Sequence, residues 1–157
     1  MLEKAKKIQV RCKVNGKAKI FRAYPMERLL DVLRGAKLTG AKEGCGEGEC
    51  GACSVFINGE IVNSCLVPVI QTQGAAITTI EGLAKTPQGK KVQNAFLECG
   101  GAQCGICTPG MVMACTMLLK RNPKPSLQQV REGLAGNLCR CTGYTRIFES
   151  VLRAGKS

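Results

Sequence analysis

Apolar and polar residues alternate at the start of the chain with the two-residue period of a β-strand. Apolar side chains occupy every second position from Ile8 to Val14, and charged or polar side chains lie between them, which is typical of a strand with one buried face. Asn15-Gly16 is a preferred dipeptide for a two-residue hairpin turn, and residues 17–23 follow as the returning strand. The pattern therefore predicts a β-hairpin over residues 7–23.

The rest of the first half predicts a short helix, a second hairpin and one more strand. Residues 26–34 place three leucines on one helical face, and residues 54–64 repeat the strand–turn–strand pattern around Asn58-Gly59. The glycine-rich residues 40–53 between them predict an irregular loop. An apolar segment at Ile77–Ile80 predicts the last strand, so this half is expected to be a compact α+β unit.

The second half has the period of α-helices. Thr86-Pro87 and Thr108-Pro109 each place a candidate capping hydroxyl before a proline at the first helical position, and Ser126 is a third candidate cap. Four helices are predicted, over residues 86–98, 109–120, 126–135 and 143–153. The chain is therefore predicted to have two domains, an α+β domain over residues 1–81 and an all-α four-helix bundle over residues 82–157.

Histidine is absent from the 157 residues, whereas cysteine occurs 11 times. The lack of histidine excludes a His general base, a His-containing zinc finger, a Rieske centre and a His-ligated haem. No apolar run reaches the roughly 18–20 residues of a membrane helix, and residues 1–14 lack the apolar core of a secretory signal. We therefore expect a cytoplasmic protein without a membrane span, whose clustered cysteines bind metal rather than form disulfides.

Basic residues are concentrated at the two ends of the chain. Residues 1–45 contain 12 basic and 4 acidic residues, residues 101–157 contain 8 and 2, and the net charge of the chain is +12. A basic arm is compatible with nucleic-acid binding, but only 4% of the residues are aromatic and Trp is absent, so surfaces for base stacking are scarce. We therefore expect no nucleic-acid partner, and a basic surface that is solvated or docks on an acidic partner subunit.

Three cysteines lie in one glycine-rich loop, and a fourth follows at a distance. Cys45, Cys50 and Cys53 are spaced C-x4-C-x2-C, and Cys65 follows after eleven intervening residues, which is the spacing of plant-type [2Fe–2S] centres. The four glycines between residues 44 and 51 allow positive φ and let backbone N–H groups approach the sulfurs. A four-cysteine zinc site usually has two separated C-x2-C pairs, so this spacing favours an iron–sulfur cluster.

A second set consists of two cysteine pairs that are far apart in the sequence. Cys104 and Cys107 form a C-x2-C pair, and after thirty-one intervening residues Cys139 and Cys141 form a C-x-C pair. Each pair is predicted to lie at a helix N-terminus, where N–H groups and the helix dipole favour an anion. A zinc ion and a [2Fe–2S] cluster with four thiolates both carry a formal charge of about −2, so the spacing alone leaves both metals open.

The small iron–sulfur subunits of the molybdenum hydroxylases resemble this chain in three segments, GCGEGECGACSVFINGEIVNSC, QCGICTPGMVMAC and NLCRCTGYTRI. This is the family of xanthine dehydrogenase, aldehyde oxidoreductase and carbon monoxide dehydrogenase. The resemblance covers nearly the whole chain and holds at all eight ligand positions. It implies an α+β fold in which a plant-type ferredoxin-like β-grasp domain precedes an all-α four-helix-bundle domain, with one [2Fe–2S] cluster in each.

The resemblance also implies which residues bind each group. The implied ligands are Cys45, Cys50, Cys53 and Cys65 for the plant-type cluster, on the flavin side, and Cys104, Cys107, Cys139 and Cys141 for the helical-domain cluster, beside the molybdenum cofactor. Gln103 matches the family glutamine whose amide hydrogen-bonds the pterin. The molybdenum–pterin cofactor and FAD are expected on a large and a medium partner subunit, and no catalytic residue is expected on this chain.

By this resemblance the chain is the electron-transfer subunit of a hetero-oligomer, relaying single electrons from the molybdenum–pterin centre to FAD or another acceptor. The alternative is a free-standing two-cluster ferredoxin that diffuses between partners. Purines or other N-heterocycles are the favoured substrates of the complex, on resemblance alone. Of the other cysteines, Cys12 and Cys115 are predicted to be small buried apolar residues, and Cys99 has no assigned role.

Overall fold

In the computed structural model, which describes residues 6–156, the first half of the chain forms a five-stranded mixed sheet. The strands are β1 (Ile8–Val14), β2 (Lys17–Ala23), β3 (Ser54–Ile57), β4 (Glu60–Asn63) and β5 (Ala76–Thr78). Their order across the sheet is β2-β1-β5-β3-β4. The β1–β5 pair is parallel and the other pairs are antiparallel, so the two hairpins lie on either side of β5.

Both predicted hairpins are confirmed, with their turns at the Asn-Gly dipeptides. Asn15 and Gly16 have φ of 51° and 80°, and Asn58 and Gly59 have φ of 52° and 88°. Positive φ at both central residues defines the type I′ turn, whose twist matches that of the flanking strands. The Asn15 side chain also makes two 2.9 Å hydrogen bonds with Thr79, one to its hydroxyl and one from its N–H, and thereby ties the first turn to the end of β5.

The helix α1 (Leu29–Gly35) crosses the sheet and buries the three leucines predicted to face inward. It begins three residues later than predicted because residues 25–26 form a turn and Arg28 is extended, and this segment is hydrogen-bonded to residues 67–70. Leu29 N–H donates to the Val67 carbonyl at 2.8 Å, and Val69 N–H donates to the Glu27 carbonyl at 2.9 Å. Cys12 belongs to the same core and is 5% exposed, as predicted.

The last predicted strand, Ile77–Ile80, is partly wrong. β5 ends at Thr78, and a one-turn helix α2 (Ile80–Leu83) follows directly. Strand pairing stops because the N–H of Thr79 is bonded to the Asn15 side chain and its carbonyl accepts the N–H of Leu83 at 2.9 Å. Ile77 therefore belongs to the core of the sheet domain, whereas Ile80 packs on the helical core.

The second half contains the four helices that the sequence predicts. They are α3 (Pro87–Cys99), α4 (Thr108–Arg121), α5 (Leu127–Gly133) and α6 (Thr145–Lys156). The predicted caps are confirmed at Thr86, which accepts the Gly89 N–H at 3.0 Å, and at Ser126, which forms a capping box with Gln129. The predicted cap at Thr108 is wrong, because Thr108 is already the first helical residue and its buried hydroxyl has no hydrogen-bond partner.

Helix α4 is buried on more sides than its predicted apolar stripe requires. Every residue from Gly110 to Met117 is buried, because α4 packs against α3, α5 and α6 on one side and against β3 and β4 on the other. The chain therefore has a mixed α+β fold in which α4 joins the sheet to the helical half. Within residues 6–156, none of the helices has the length and hydropathy needed to cross a membrane.

Candidate metal centres

The loop over residues 44–53 wraps closely around its cysteine sulfurs. Gly46, Gly48 and Gly51 have φ of 74°, 81° and 68°, which confirms the positive φ expected for this loop. Gly44 is needed for a different reason. A Cβ at Gly44 would lie 2.7 Å from the Cys50 sulfur, so only glycine leaves room for that sulfur.

Backbone N–H groups of this loop point at the first cysteine sulfur, as predicted. The Cys45 Sγ accepts hydrogen bonds from the N–H groups of Glu47 at 3.4 Å and Glu49 at 3.3 Å. Hydrogen bonds from the backbone of Glu47 and Cys50 lower the pKa of the Cys45 thiol to about 7. The Cys50 side chain also lies close enough to Cys45 to lower the pKa of the Cys45 thiol, so we treat these two sulfurs as a pair.

Cys53 and Cys65 form the other pair of the first set, and both are buried. Cys65 lies in a single 3-10 turn over Ser64–Leu66. Burial, followed by the neighbouring Cys53 side chain, raises the pKa of the Cys65 thiol to about 11. The Ser64 hydroxyl donates to the Cys53 carbonyl at 2.7 Å and holds the two backbone segments together.

The second set brings together cysteines from two distant loops. The Sγ atoms of Cys104 and Cys141 lie 3.6 Å apart, and both residues are exposed. Cys107 forms the other pair with Cys139, and burial, followed by the hydrogen bond to Cys139, raises the pKa of the Cys107 thiol to about 12. Four sulfurs that are far apart in the sequence therefore converge as two pairs.

The predicted helix N-termini behind these pairs are confirmed on one side only. Cys107 directly precedes α4, as expected. The Cys139–Cys141 pair does not precede a helix directly, because α6 begins at Thr145 instead of residue 143. Tyr144, the residue directly before this helix, has a left-handed φ of 69°, so the backbone N–H groups nearest this pair belong to a loop and not to the predicted helix.

Side chains of Thr142 and Tyr144 contact Cys139 instead. The Cys139 N–H donates to the Tyr144 Oη at 2.9 Å, the Tyr144 N–H donates to Thr142 Oγ1 at 3.2 Å, and Thr142 Oγ1 lies 3.2 Å from Cys139 Sγ. Burial favours the neutral Cys139 thiol, but hydrogen bonds from Thr142, Cys141 and Cys107 together outweigh it, so the pKa of Cys139 is lowered. Both residues lie in the CRCTGY segment, but no separate pattern in the sequence indicates their contacts.

The pairing of sulfurs within each set fits a di-iron cluster better than a single ion. A zinc ion needs four ligands around one centre, with Zn–S distances of about 2.3 Å. A [2Fe–2S] cluster instead takes two thiolates at each of its two irons, which suits two neighbouring pairs of cysteines.

One cysteine of the first set and all four of the second line a common cleft of about 210 Å³. Cys50 is the cysteine of the first set, and it lines the cleft together with Gly44 and Ala52. The segments that carry the two sets are directly bonded, because the Leu138 N–H donates to the Cys50 carbonyl at 2.9 Å. The Asn137 side chain adds a 3.1 Å hydrogen bond to the Gly51 carbonyl.

The remaining candidate residues lie outside the two sets. Gln103 is exposed directly before Cys104, and Cys99 is the last residue of α3. Cys115 is fully buried in α4, as predicted. Arg28 was not singled out from the sequence, yet its guanidinium bridges Asp31 at 2.7 Å and Glu43 at 2.8 Å, thereby anchoring the residue that precedes Gly44.

Comparison with known proteins gives matches over both halves of the chain. Residues 12–76 match the 2Fe-2S iron-sulfur cluster binding domain, and residues 79–152 match the [2Fe-2S] binding domain. A probable xanthine dehydrogenase subunit of Bacillus subtilis is 51% identical over 149 residues, which cover 94% of this chain and 86% of the relative. The nicotinate dehydrogenase small FeS subunit of Eubacterium barkeri is 44% identical over 146 residues, covering 92% and 93%. A chain of the quinoline 2-oxidoreductase from Pseudomonas putida 86 is 38% identical, with a TM-score of 0.89 and coverage of 96% and 95%.

Proposed function

Because the chain belongs to the molybdenum hydroxylase family as a small [2Fe–2S] subunit, we propose that its eight paired cysteines are the ligands of its two clusters. It is the electron-transfer subunit of a multi-subunit oxidoreductase and not a diffusing ferredoxin, since relatives that cover 94% and 92% of the chain are enzyme subunits. Each bound [2Fe–2S] cluster accepts and releases one electron at a time. The chain's residues hold, insulate and connect these centres.

The pairing of sulfurs is the single observation that carries the ligand assignment. We assign one iron of the plant-type cluster to Cys45 and Cys50, and the other to Cys53 and Cys65. In the helical half, the Cys104–Cys141 pair, with sulfurs 3.6 Å apart, and the Cys107–Cys139 pair take one iron each. Both sets supply only thiolates, which are the ligands that [2Fe–2S] clusters use.

The contact between Cys50 and Leu138 is the proposed route of electrons between the two sets. Leu138 precedes the ligand Cys139, and its N–H is bonded to the carbonyl of the ligand Cys50. One hydrogen bond and a few covalent bonds therefore separate a ligand of one cluster from a ligand of the other. Ala52, Ile106 and Leu138 line the same cleft, together with Arg140.

The helical-domain set is proposed to face the large molybdenum subunit of the hetero-oligomer. Cys104 and Cys141 are exposed, and Ile106 and Leu138 beside them are 48% and 52% exposed. An apolar rim around exposed ligands suits burial against a partner protein. On this view the plant-type set lies on the side of a medium FAD subunit and passes electrons to it.

The finer description of the architecture is also part of the proposal. We propose a β-grasp domain over residues 1–81 and a four-helix bundle over residues 82–157; their outer ends, residues 1–5 and Ser157, lie outside the described residues. The separate hydrophobic cores of the sheet and of the helices support this division.

Purines or other N-heterocycles are the proposed substrates of the complex, supported by relatives named for xanthine, nicotinate and quinoline. A reducing location such as the cytoplasm suits eight ligand thiols.

Metal analysis combined with electron paramagnetic resonance tests the proposed function. We expect about four irons and four sulfides per chain, from two di-iron clusters. After reduction with dithionite, the spectrum is expected to contain two distinct one-electron signals, because the two ligand sets differ in exposure and hydrogen bonding. A colourless protein containing zinc, or a single signal at full reduction, would contradict the two-cluster assignment.

Gln103 is proposed to contact the pterin, because it is exposed directly before the exposed ligand Cys104. Replacing Gln103 by leucine in the assembled complex is expected to leave iron content unchanged and to slow substrate-dependent reduction of the clusters by roughly tenfold, since groups that support a metal centre typically contribute 10–100-fold. Rapid mixing with substrate, followed at the visible absorbance of the clusters, measures this rate. Gln128→Leu, on the exposed face of α5, is the matched control, and equal rates in the two variants would refute the contact.

A further inference from the structure

The segment after Cys141 forms a closed ring of hydrogen bonds that ends on a ligand sulfur. Thr142 Oγ1 accepts the N–H of Tyr144 at 3.2 Å and lies 3.2 Å from Cys139 Sγ. A hydroxyl has one proton and two lone pairs. Because the bond from Tyr144 occupies a lone pair, the proton of Thr142 is free to point at the sulfur, and a sulfur that is bound to iron accepts this hydrogen bond.

Tyr144 fixes the position of the Thr142 hydroxyl. The left-handed φ of 69° at Tyr144 is unfavourable for a residue with a bulky side chain. Three contacts retain it: the bond from its N–H to Thr142, the bond from the Cys139 N–H to its Oη, and stacking on Phe148 with ring centroids 5.8 Å apart. The hydroxyl beside Cys139 is therefore held in place by the loop rather than rotating freely.

We propose that Thr142 is a positioning residue that raises the reduction potential of the helical-domain cluster by donating a hydrogen bond to Cys139. This inference rests on the proposed function. Reduction adds one electron and neither forms nor breaks a bond to Thr142, so the formal charge of the cluster with its thiolates changes from about −2 to about −3. A hydrogen bond to a charged acceptor strengthens as the charge grows, so Thr142 stabilises the reduced form more than the oxidised form.

Cys139 has a side-chain donor in addition to backbone donors. At Cys45 the donors are backbone N–H groups of a glycine-rich loop. The Cys139 sulfur also accepts backbone hydrogen bonds, from Thr142 and Cys141, and the Thr142 hydroxyl adds a side-chain donor to them. A hydroxyl can be removed by substitution without altering the backbone, so the helical-domain cluster is the one whose potential a single side-chain change is expected to shift.

The experiment is a redox titration of the assembled complex, followed by electron paramagnetic resonance. Thr142→Val is expected to lower the equilibrium constant for reduction of the helical-domain cluster about three- to tenfold, where tenfold equals 59 mV for one electron. The plant-type cluster is expected to keep its potential. Thr142→Ser keeps the hydroxyl and is expected to restore the equilibrium constant to within about twofold of the original protein, since hydroxyl donation is the feature that is tested.

Thr145→Val makes the same isosteric change at an exposed threonine of the same segment and is expected to leave both potentials unchanged. An unchanged potential in Thr142→Val, or the same shift in Thr145→Val and Thr142→Ser, would overturn the inference. Iron content and the number of signals are measured on the same samples. If Thr142→Val has four irons, two signals and an unshifted potential, only the role of Thr142 is refuted. If the unmodified protein itself shows a single signal, the proposed function is refuted.

Discussion

Replacing Cys107 by alanine is expected to remove about half of the iron bound by the chain and to stop electron transfer through it. Cys107 pairs with Cys139 at the buried side of the helical set, and its loss leaves one iron with a single protein ligand. Iron content is expected to fall from about four to about two per chain, with the loss of one resonance signal. Substrate-dependent reduction of the terminal acceptor by the complex is expected to fall by at least roughly 100-fold.

Cys115→Ala is the matched control for this prediction. Cys115 lies on the same helix and is fully buried in the helical core, but it belongs to neither set. Its replacement is expected to lower the free energy of unfolding by about 1 kcal/mol through the small cavity while leaving four irons and both signals. Retention of four irons in Cys107→Ala, or loss of two in Cys115→Ala, would show that the ligand assignment is wrong.

The local features of the fold could be predicted from the sequence because their causes are local. The Asn15-Gly16 and Asn58-Gly59 dipeptides adopt positive φ without help from the rest of the chain. The hydroxyls of Thr86 and Ser126 reach N–H groups only three residues away. The first three ligand candidates could likewise be predicted from their spacing, because they lie in one short loop that wraps around its own sulfurs.

Features that depend on side-chain contacts formed only in the folded chain could not be predicted. Thr108 has the same Thr-Pro pattern as Thr86, yet it begins its helix one residue earlier, because the preceding cysteine occupies the N-cap position. The late start of α6 follows from the contacts of Tyr144 with Cys139 and Phe148. The pairing of Cys104 with Cys141 joins two loops that meet only in the folded chain, so the spacing predicts the set but not its pairs.

The contact between the two halves depends on Gly51 and Gly110. The sequence does not indicate that these two residues lie close together in the fold. Gly51 has φ of 68°, and its carbonyl accepts hydrogen bonds from Ser54 and from the Asn137 side chain. Gly110 of α4 lies against that carbonyl, since a Cβ at Gly110 would be 2.1 Å from it. The bonds from Leu138 and Asn137 to residues 50 and 51 require this close approach, and the proposed electron route crosses it.

Gly110→Ala is therefore expected to separate the two cysteine sets. The added Cβ would meet the backbone of Gly51, with the carbonyl oxygen at 2.1 Å and the carbonyl carbon at 3.0 Å, and backbone cannot rotate away as a side chain can. Alanine favours helices over glycine by about 1 kcal/mol, but overpacking of about 1–3 kcal/mol or more is expected to exceed this gain. We expect a net loss of stability, measured by denaturant unfolding of the cluster-loaded chain.

The same variant is expected to retain four irons but to weaken the magnetic interaction between the two reduced clusters, because each cysteine set lies within its own half. Gly133→Ala in α5 is the matched control, since its Cβ would meet only the flexible Leu118 side chain, at 3.0 Å. It is expected to leave stability and cluster interaction close to those of the original protein. If Gly110→Ala were as stable as Gly133→Ala and kept the cluster interaction unchanged, close packing of α4 on Gly51 would not set the distance between the clusters. The Leu138–Cys50 hydrogen bond would then have to hold the two sets together without it.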